Sequence, residues 1–343
     1  MKNTILIFSL LFTFSAQAFE FKNSCELKQD SIKDIIFQKS EGFDFYSIIK
    51  KNSETSISNK KCEYLHNVRS AMFQELGISM PKIKSNKKIK IAVIDTGLDF
   101  SIPAFKNKIY KPEGIVSNNF YGLDLEDGDF QPQDTHGHGT HVSGIIVSLF
   151  PNAKILPIKT ASSDKSYTRA IALAIEAKVD IINISGGGDG SDKEELRMIK
   201  LAKKKNILII AASGNNRKNL NKDSYFPASY NESNIISVMA HDKNGKLASY
   251  SNYGKSKSHI AALGTLKSYH PNKEGCVDVV SGTSQATPVI TATIAMIMAE
   301  NPNWSIAQIK QHLMVNAESN EHLYDLNDSK GKVHIHRSVA SQK

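Results

Sequence analysis

The chain of 343 residues is predicted to fold as an α/β protein: a three-layer, doubly wound domain on a mostly parallel sheet, preceded by a small, mainly helical N-terminal segment. Three observations predict it. From residue 89 onward, short β-branched runs without polar alternation are separated by amphipathic stretches of helical length. Strands of that kind belong to a parallel sheet covered on both faces. Before residue 89 only the helical pattern occurs. Finally, the apolar runs end in Asp, Ser and Asn, where doubly wound domains carry their sites, at the carboxyl ends of strands.

Taken in order, the chain opens with MKNTILIFSLLFTFSAQAFE. Lys2, a short apolar run from Ile5 to Phe14, and Ala16-Gln17-Ala18 form a signal peptide over residues 1–18, cleaved after Ala18. The run is too short to span a bilayer, and no later stretch is long enough. The protein is therefore expected to be exported through the Sec pathway, secreted or periplasmic, without a membrane anchor, and monomeric. Residues 19–80 read as amphipathic helix, in SIKDIIFQKSEGFDFYSIIKK and KKCEYLHNVRSAMFQELGI, and residues 81–88 read as an exposed linker. After them come KIAVIDTG, AKILPIKT, TRAIALAIEAKVDIINIS, ELRMIKLAKKKNILIIAASG and NIISVMA, the alternation of strand and helix expected of one domain over residues 89–343.

Composition fits a globular protein, 40% hydrophobic and 22% charged. More than half of the net charge of +9 falls within residues 19–90. That excess reads as a solvated helical face; there is no nucleic-acid-binding motif or aromatic interleaving, and no nucleic-acid partner is expected. An oxidising compartment permits a disulfide between two of Cys25, Cys62 and Cys276, with all three pairings open.

Four stretches carry chemistry. In KIAVIDTG, Asp95 ends a buried strand, a poor place for a core residue and a good one for a site. Asp-Thr-Gly alone also suits half of an aspartic protease, but two carboxylates are needed there and the tripeptide occurs once. In HGHGTHVSG, His136, His138 and His141 could be three zinc ligands. Gly137 and Gly139, however, disfavour a helix before Thr140, which leaves His138 at a helix entrance, suited to an imidazole that exchanges protons. In VSGTSQATP, a turn delivers Ser284 to the start of a long apolar helix, either as a cap or as a nucleophile beside amides that can hold an oxyanion. In IIAASGNN, Asn215 offers an amide at the end of a strand.

In combination, IDTGLD, HGHGTHVSG, NISGGG, AASGN and SGTSQATP resemble the subtilisin-like serine proteases (subtilases) in order and approximate spacing, over roughly residues 89–320. The resemblance implies a subtilisin-like fold and a serine endopeptidase working through an acyl-enzyme. It assigns Ser284 as nucleophile, His138 as general base, Asp95 as the carboxylate that orients it and Asn215 as the oxyanion donor, with His136 and His141 structural. The order Asp, His, Ser is the family's. No cofactor is required for that chemistry. Two alternatives stand beside it, a catalytically silent module of the same fold and a histidine-cluster metalloprotein; all four catalytic positions are filled, which disfavours the first.

The same resemblance implies that Ser185, Gly186 and Gly187 pair with an extended protein or peptide substrate, that Ala212, Ser213 and Gly214 wall the pocket for the residue before the scissile bond (P1), and that Tyr225 near its base shortens it. Gly186 stands where the family often has leucine, which implies a more open neighbouring pocket. Asp124, Asp127, Asp129 and Gln133, with a carbonyl near Gln131, resemble a structural calcium loop of thermostable members; a solvated acidic loop is the other reading. Gln285 replaces the usual methionine after the nucleophile. Residues 19–88 occupy the place of the family's pro-domain without its recognisable pattern. They are expected to be a propeptide that inhibits in cis, cut within the Pro81–Lys90 linker, or else a retained extension.

Overall fold

The runs singled out in the sequence become the strands of a single large sheet. The computed structural model describes residues 63–64, 68–115, 117, 119–160, 164–271 and 276–340; the expected signal peptide, most of the expected N-terminal segment, Cys25 and Cys62 lie outside the described residues. In chain order the elements are β1 (Glu63–Tyr64), α1 (Val68–Glu75), β2 (Ile89–Asp95), β3 (Leu123–Asp124), α2 (His138–Leu149), β4 (Ala153–Lys159), α3 (Asp164–Glu176), β5 (Ile181–Ile184), α4 (Lys193–Lys204), β6 (Leu208–Ala212), β7 (Ile235–His241), β8 (Ile260–Leu263), β9 (Thr265–Tyr269), β10 (Cys276–Ser281), α5 (Thr283–Glu300), α6 (Ile306–Val315), β11 (Glu318–Ser319), β12 (Gly331–Lys332) and α7 (Ile335–Val339).

The main sheet has nine strands in the order β11-β12-β8-β7-β6-β5-β2-β4-β3. Every pairing from β12 to β3 is parallel; only β11 joins antiparallel. The order runs outward in both directions from β2, which makes the sheet doubly wound and opens a crevice at the carboxyl ends of β2 and β5. The strands lack alternation because both faces are covered. On one face Ile91, Val93, Ile181, Leu208 and Ile210 pack with Ile145 and Ile146 of α2 and Val289 and Ile290 of α5. On the other, Ala92, Ile94, Ile182 and Ile209 pack with Ile171 and Ala174 of α3 and Ile199 of α4. The three-layer α/β fold expected from the sequence is the fold observed. A smaller antiparallel sheet, β1-β10-β9, lies apart from the main one.

Residues just upstream of the boundary expected at residue 89 pack against the domain. Met72 and Phe73 of α1 are buried in the same hydrophobic cluster as α2 and α5, with Ile78 and Ile83 packed against it. Burying side chains of this size stabilises by about 1.5–3 kcal/mol each. The stretch read as an exposed linker is tethered: the amides of Lys84 and Ser85 both donate to Glu300 Oε1 at 2.7 Å. Glu75 accepts from the amide of Lys267 on β9, and β1 extends the edge of β10. Residues 68–88 are thus docked on the domain. The sequence hid this because α1 is short and is followed by Gly77 and Pro81, which look like the end of a separate unit.

Candidate active site

Asp95 is the last residue of β2 and is 4% exposed. His138 opens α2, two residues earlier than the glycine propensities suggest. The reason is Asp134, a fully buried carboxylate. Its Oδ1 accepts from the amides of His136 (3.0 Å) and Gly137 (2.7 Å) and from Thr96 Oγ1 (3.0 Å). Its Oδ2 accepts from the amide (2.8 Å) and Oγ1 (2.6 Å) of Thr140. An anion on these amides caps the helix and ties it to the turn after Asp95, since Thr96 Oγ1 also accepts from the amide of Gly139. Gly139 makes the approach possible: a Cβ there would lie 2.2 Å from Gly97 O. With the helix drawn in, His138 Nδ1 comes 2.7 Å from Asp95 Oδ1.

Burial opposes the charged form of His138, but the charge and hydrogen bond of Asp95, with the more distant charge of Asp134, outweigh it and hold the imidazole above its ordinary pKa. His136 and His141 are moved the other way. Burial, then the charge of His138, lowers His136; burial brings His141 down to about 4. The three histidines do not converge on a metal: His138 turns to Asp95, whereas His141 Nε2 lies 3.2 Å from the carbonyl of Asp278 on β10.

Ser284 lies in the first turn of α5, which packs against α2. Its hydroxyl donates to the carbonyl of Ser185, just beyond β5, at 2.8 Å. Ser185 Oγ answers by donating to the carbonyl of Ser284 at 2.9 Å. Pro288 explains that second bond. It sits inside α5, four residues after Ser284, and has no N–H to give that carbonyl. Ser185 supplies the missing donor and is itself held by Asn183 Nδ2, while Thr291 of α5 donates to Asn183 Oδ1.

Asn215 follows β6. Its Oδ1 accepts from the amide and the Oγ1 of Thr283, both at 2.9 Å. Two donors on one atom fix it as the oxygen, so Nδ2 is the end left to donate beside the start of α5. Asn252, which the sequence did not single out, braces this loop. Its Oδ1 accepts from the amides of Asn216 and Lys218, and its Nδ2 donates to Ser213 O. No motif marks Asn252 or Asp134; an isolated buried polar residue shows its worth only once its partners are placed.

Asp95, Ser185 and Asn215 thus stand at or just beyond the ends of three adjacent strands, β2, β5 and β6, with His138 and Ser284 brought over them by two helix starts. The strand expected to pair with substrate, Ser185 to Gly187, and the expected P1 wall, Ala212 to Gly214, meet at Tyr225 through Gly187 and Gly214. A Cβ on Gly187 would lie 2.6 Å from the Tyr225 ring and one on Gly214 would lie 3.1 Å from it. The backbone of Gly188 pairs with Phe226 in both directions, at 2.9 and 2.7 Å, which holds the ring in place. Asp124 ends β3, and Asp127, Asp129 and Gln133 follow it in the stretch that leads into Asp134 and α2.

The arrangement sets an imidazole paired with a carboxylate, a serine hydroxyl that donates to the Ser185 carbonyl and an asparagine amide at the same end of the sheet. Comparison with known proteins places the chain among proteases of one family. The family model for the Subtilase family matches residues 86–337. The thermophilic serine proteinase of Bacillus sp. (strain AK1) is 31% identical over 236 residues, 64% of this chain and 54% of that protein. The cell wall-associated protease of Bacillus subtilis (strain 168) is 35% identical, over 66% of this chain and 25% of that protein. Subtilisin BL of Lederbergia lenta is 29% identical, over 67% and 84%. The chain thus spans about half of the first relative and a quarter of the second. Among solved structures, a lanthipeptide protease (TM-score 0.65, 22% identity, 74% of this chain and 88% of that one) and the subtilase cytotoxin SubAB (0.66, 22%, 78% and 94%) share the fold.

Proposed function

The chain belongs to the subtilase family, and from that membership we propose that it is an exported serine endopeptidase that cleaves peptide bonds through an acyl-enzyme on Ser284. The observation that carries the proposal is the 2.7 Å contact of His138 with Asp95, on a helix packed against the one that Ser284 opens, with the Asn215 amide nitrogen toward that helix start.

The steps follow from the groups. An extended substrate pairs with the backbone of Ser185 to Gly187. Its P1 amide competes for the carbonyl of Ser185 and so releases the Ser284 hydroxyl. The freed hydroxyl attacks the scissile carbonyl as His138 takes its proton. Asp95 keeps the imidazole in the tautomer with its proton on Nδ1 and stabilises the imidazolium. Asn215 Nδ2 and the first amides of α5 hold the oxyanion. His138 then protonates the leaving amine; water repeats the cycle on the acyl-enzyme and restores Ser284. No cofactor enters any step.

The Tyr225 ring supports small P1 residues. Export rests on the signal peptide at residues 1–18; among the described residues no helix is long and apolar enough to cross a membrane. Residues upstream of Val68 are the segment available for removal as a propeptide that inhibits in cis. The test is hydrolysis of an internally quenched peptide by the exported protein. Ser284→Ala should lower kcat about 10⁶-fold, the loss measured for the nucleophile of a subtilisin. Activity that survives Ser284→Ala and disappears with a chelator would overturn the proposal in favour of metal chemistry.

A further inference from the structure

The loop from Asp124 to Asp134 holds the oxygens for which the family resemblance implies calcium, and their arrangement does not fit that ion. Calcium needs six to eight oxygens aimed at one point, 2.3–2.6 Å away. Here Asp124 Oδ1 accepts from the amides of Glu126 and Asp127, at 2.9 and 3.0 Å. Asp129 Oδ1 accepts from the amide of Gln131 at 2.7 Å, and the Gln131 carbonyl accepts from the amide of Gln133 at 2.6 Å. The carboxylate oxygens that do converge surround an ammonium. Lys159 Nζ lies 3.0 Å from Asp124 Oδ2, 3.1 Å from Glu126 Oε2 and 3.7 Å from Asp127 Oδ2. Lys159 is 8% exposed and Asp124 is 1% exposed.

We propose that Lys159 is a built-in cation that stands in for calcium, so that this loop binds no calcium while the lysine is present. The substitution makes chemical sense. A lysine at the end of a buried strand needs anions, because an unpaired ammonium is costly to bury. An acidic loop folded tightly on itself needs a cation. The covalent tether of Lys159 to β4 supplies the cation at no binding cost and at any calcium concentration.

The location ties the device to the active-site framework. Lys159 ends β4, in register with Asp95 on β2 and with Asp124 on β3. Its carbonyl accepts from the amide of Leu125 at 2.9 Å, and the next amide, that of Thr160, donates to the carbonyl of Asp95 at 3.1 Å. The loop it holds leads directly into Asp134 and His138.

The experiment compares the full chain with its Lys159→Ala and Lys159→Arg variants, by melting temperature in excess EGTA and in millimolar calcium, and by calorimetric counting of bound calcium. Removing one partner of a buried pair should lower the Tm of Lys159→Ala in EGTA by about 5 °C or more. Calcium should recover most of that loss, and Lys159→Ala should bind one calcium more than the wild type, while Lys159→Arg behaves as the wild type. Equal calcium counts and equal calcium responses in wild type and Lys159→Ala would overturn the proposal. If Lys159→Ala does not fold, Asp124→Asn in the otherwise unchanged protein decides: an unchanged calcium count supports the proposal, and the loss of one bound calcium overturns it.

Discussion

His138 Nδ1 and Asp95 Oδ1 are 2.7 Å apart, and the same Asp95 oxygen accepts the amide of Thr96 at 2.8 Å. The carboxylate is therefore fixed by its own turn before it meets the imidazole. Because the pair holds His138 above its ordinary pKa, and because the base must be neutral to accept a proton, kcat/KM should rise with pH through a midpoint above about 6.5. The linked effect on stability has the opposite sign. The stabilisation from the pair is fully present below the unfolded value and is lost as pH rises through the raised folded value. Asp95→Asn should lower kcat about 10⁴-fold and move the midpoint to lower pH; an unmoved midpoint would dissociate the limb from His138.

Asp134 is expected to position His138. Its carboxylate accepts five hydrogen bonds without a lysine or arginine among its donors. Asp134→Asn turns an amide against donors that want an acceptor, which costs roughly 2–4 kcal/mol of stability. It also removes a charge that favours the imidazolium, so the acid limb of kcat/KM should move to lower pH. The pH profile separates this role from a purely structural one, for which the limb would stay in place.

Tyr225 should set the P1 preference. With its ring against Gly187 and Gly214, peptides with Ala, Ser or Gly at P1 should be cleaved faster than those with Phe or Leu. Tyr225→Gly should raise kcat/KM for a Phe P1 substrate by about tenfold or more, the scale on which methylene-sized groups discriminate. A wild-type preference for large aromatics would contradict this.

Processing should stop short of α1. Met72 and Phe73 fill the core shared with α2 and α5, and a cut within residues 81–88 followed by loss of the upstream piece would empty that space, at about 2–5 kcal/mol per large side chain. Amino-terminal sequencing of the active protein should therefore begin upstream of Val68. An active, stable form that begins within residues 82–90 would refute the expectation.

Much of this was legible in the sequence. Fully apolar strands announce a sheet covered on both faces, and a residue such as Asp95 or Asn215 at the end of one announces a site. HGTH and SGTSQATP carried His138 and Ser284. What stayed hidden depends on partners distant in the chain. Lys159 in AKILPIKT reads as an ordinary polar strand end, because its carboxylates lie on another strand and its loop. Asp134 reads as one more acid in an acidic run. The start of α2 at His138 defies local glycine propensity because a buried anion caps it. The early α1 reads as part of a separate segment because its core partners, α2 and α5, come far later in the chain.

Whether Ser284 is an activated nucleophile is read by labelling the exported protein with a fluorophosphonate, followed by peptide mapping and intact mass. A single adduct on Ser284 is expected, formed more slowly as pH falls through the His138 transition and absent from Ser284→Ala. A processed protein that begins upstream of Val68, retains its fold and takes no label at Ser284 would contradict that expectation.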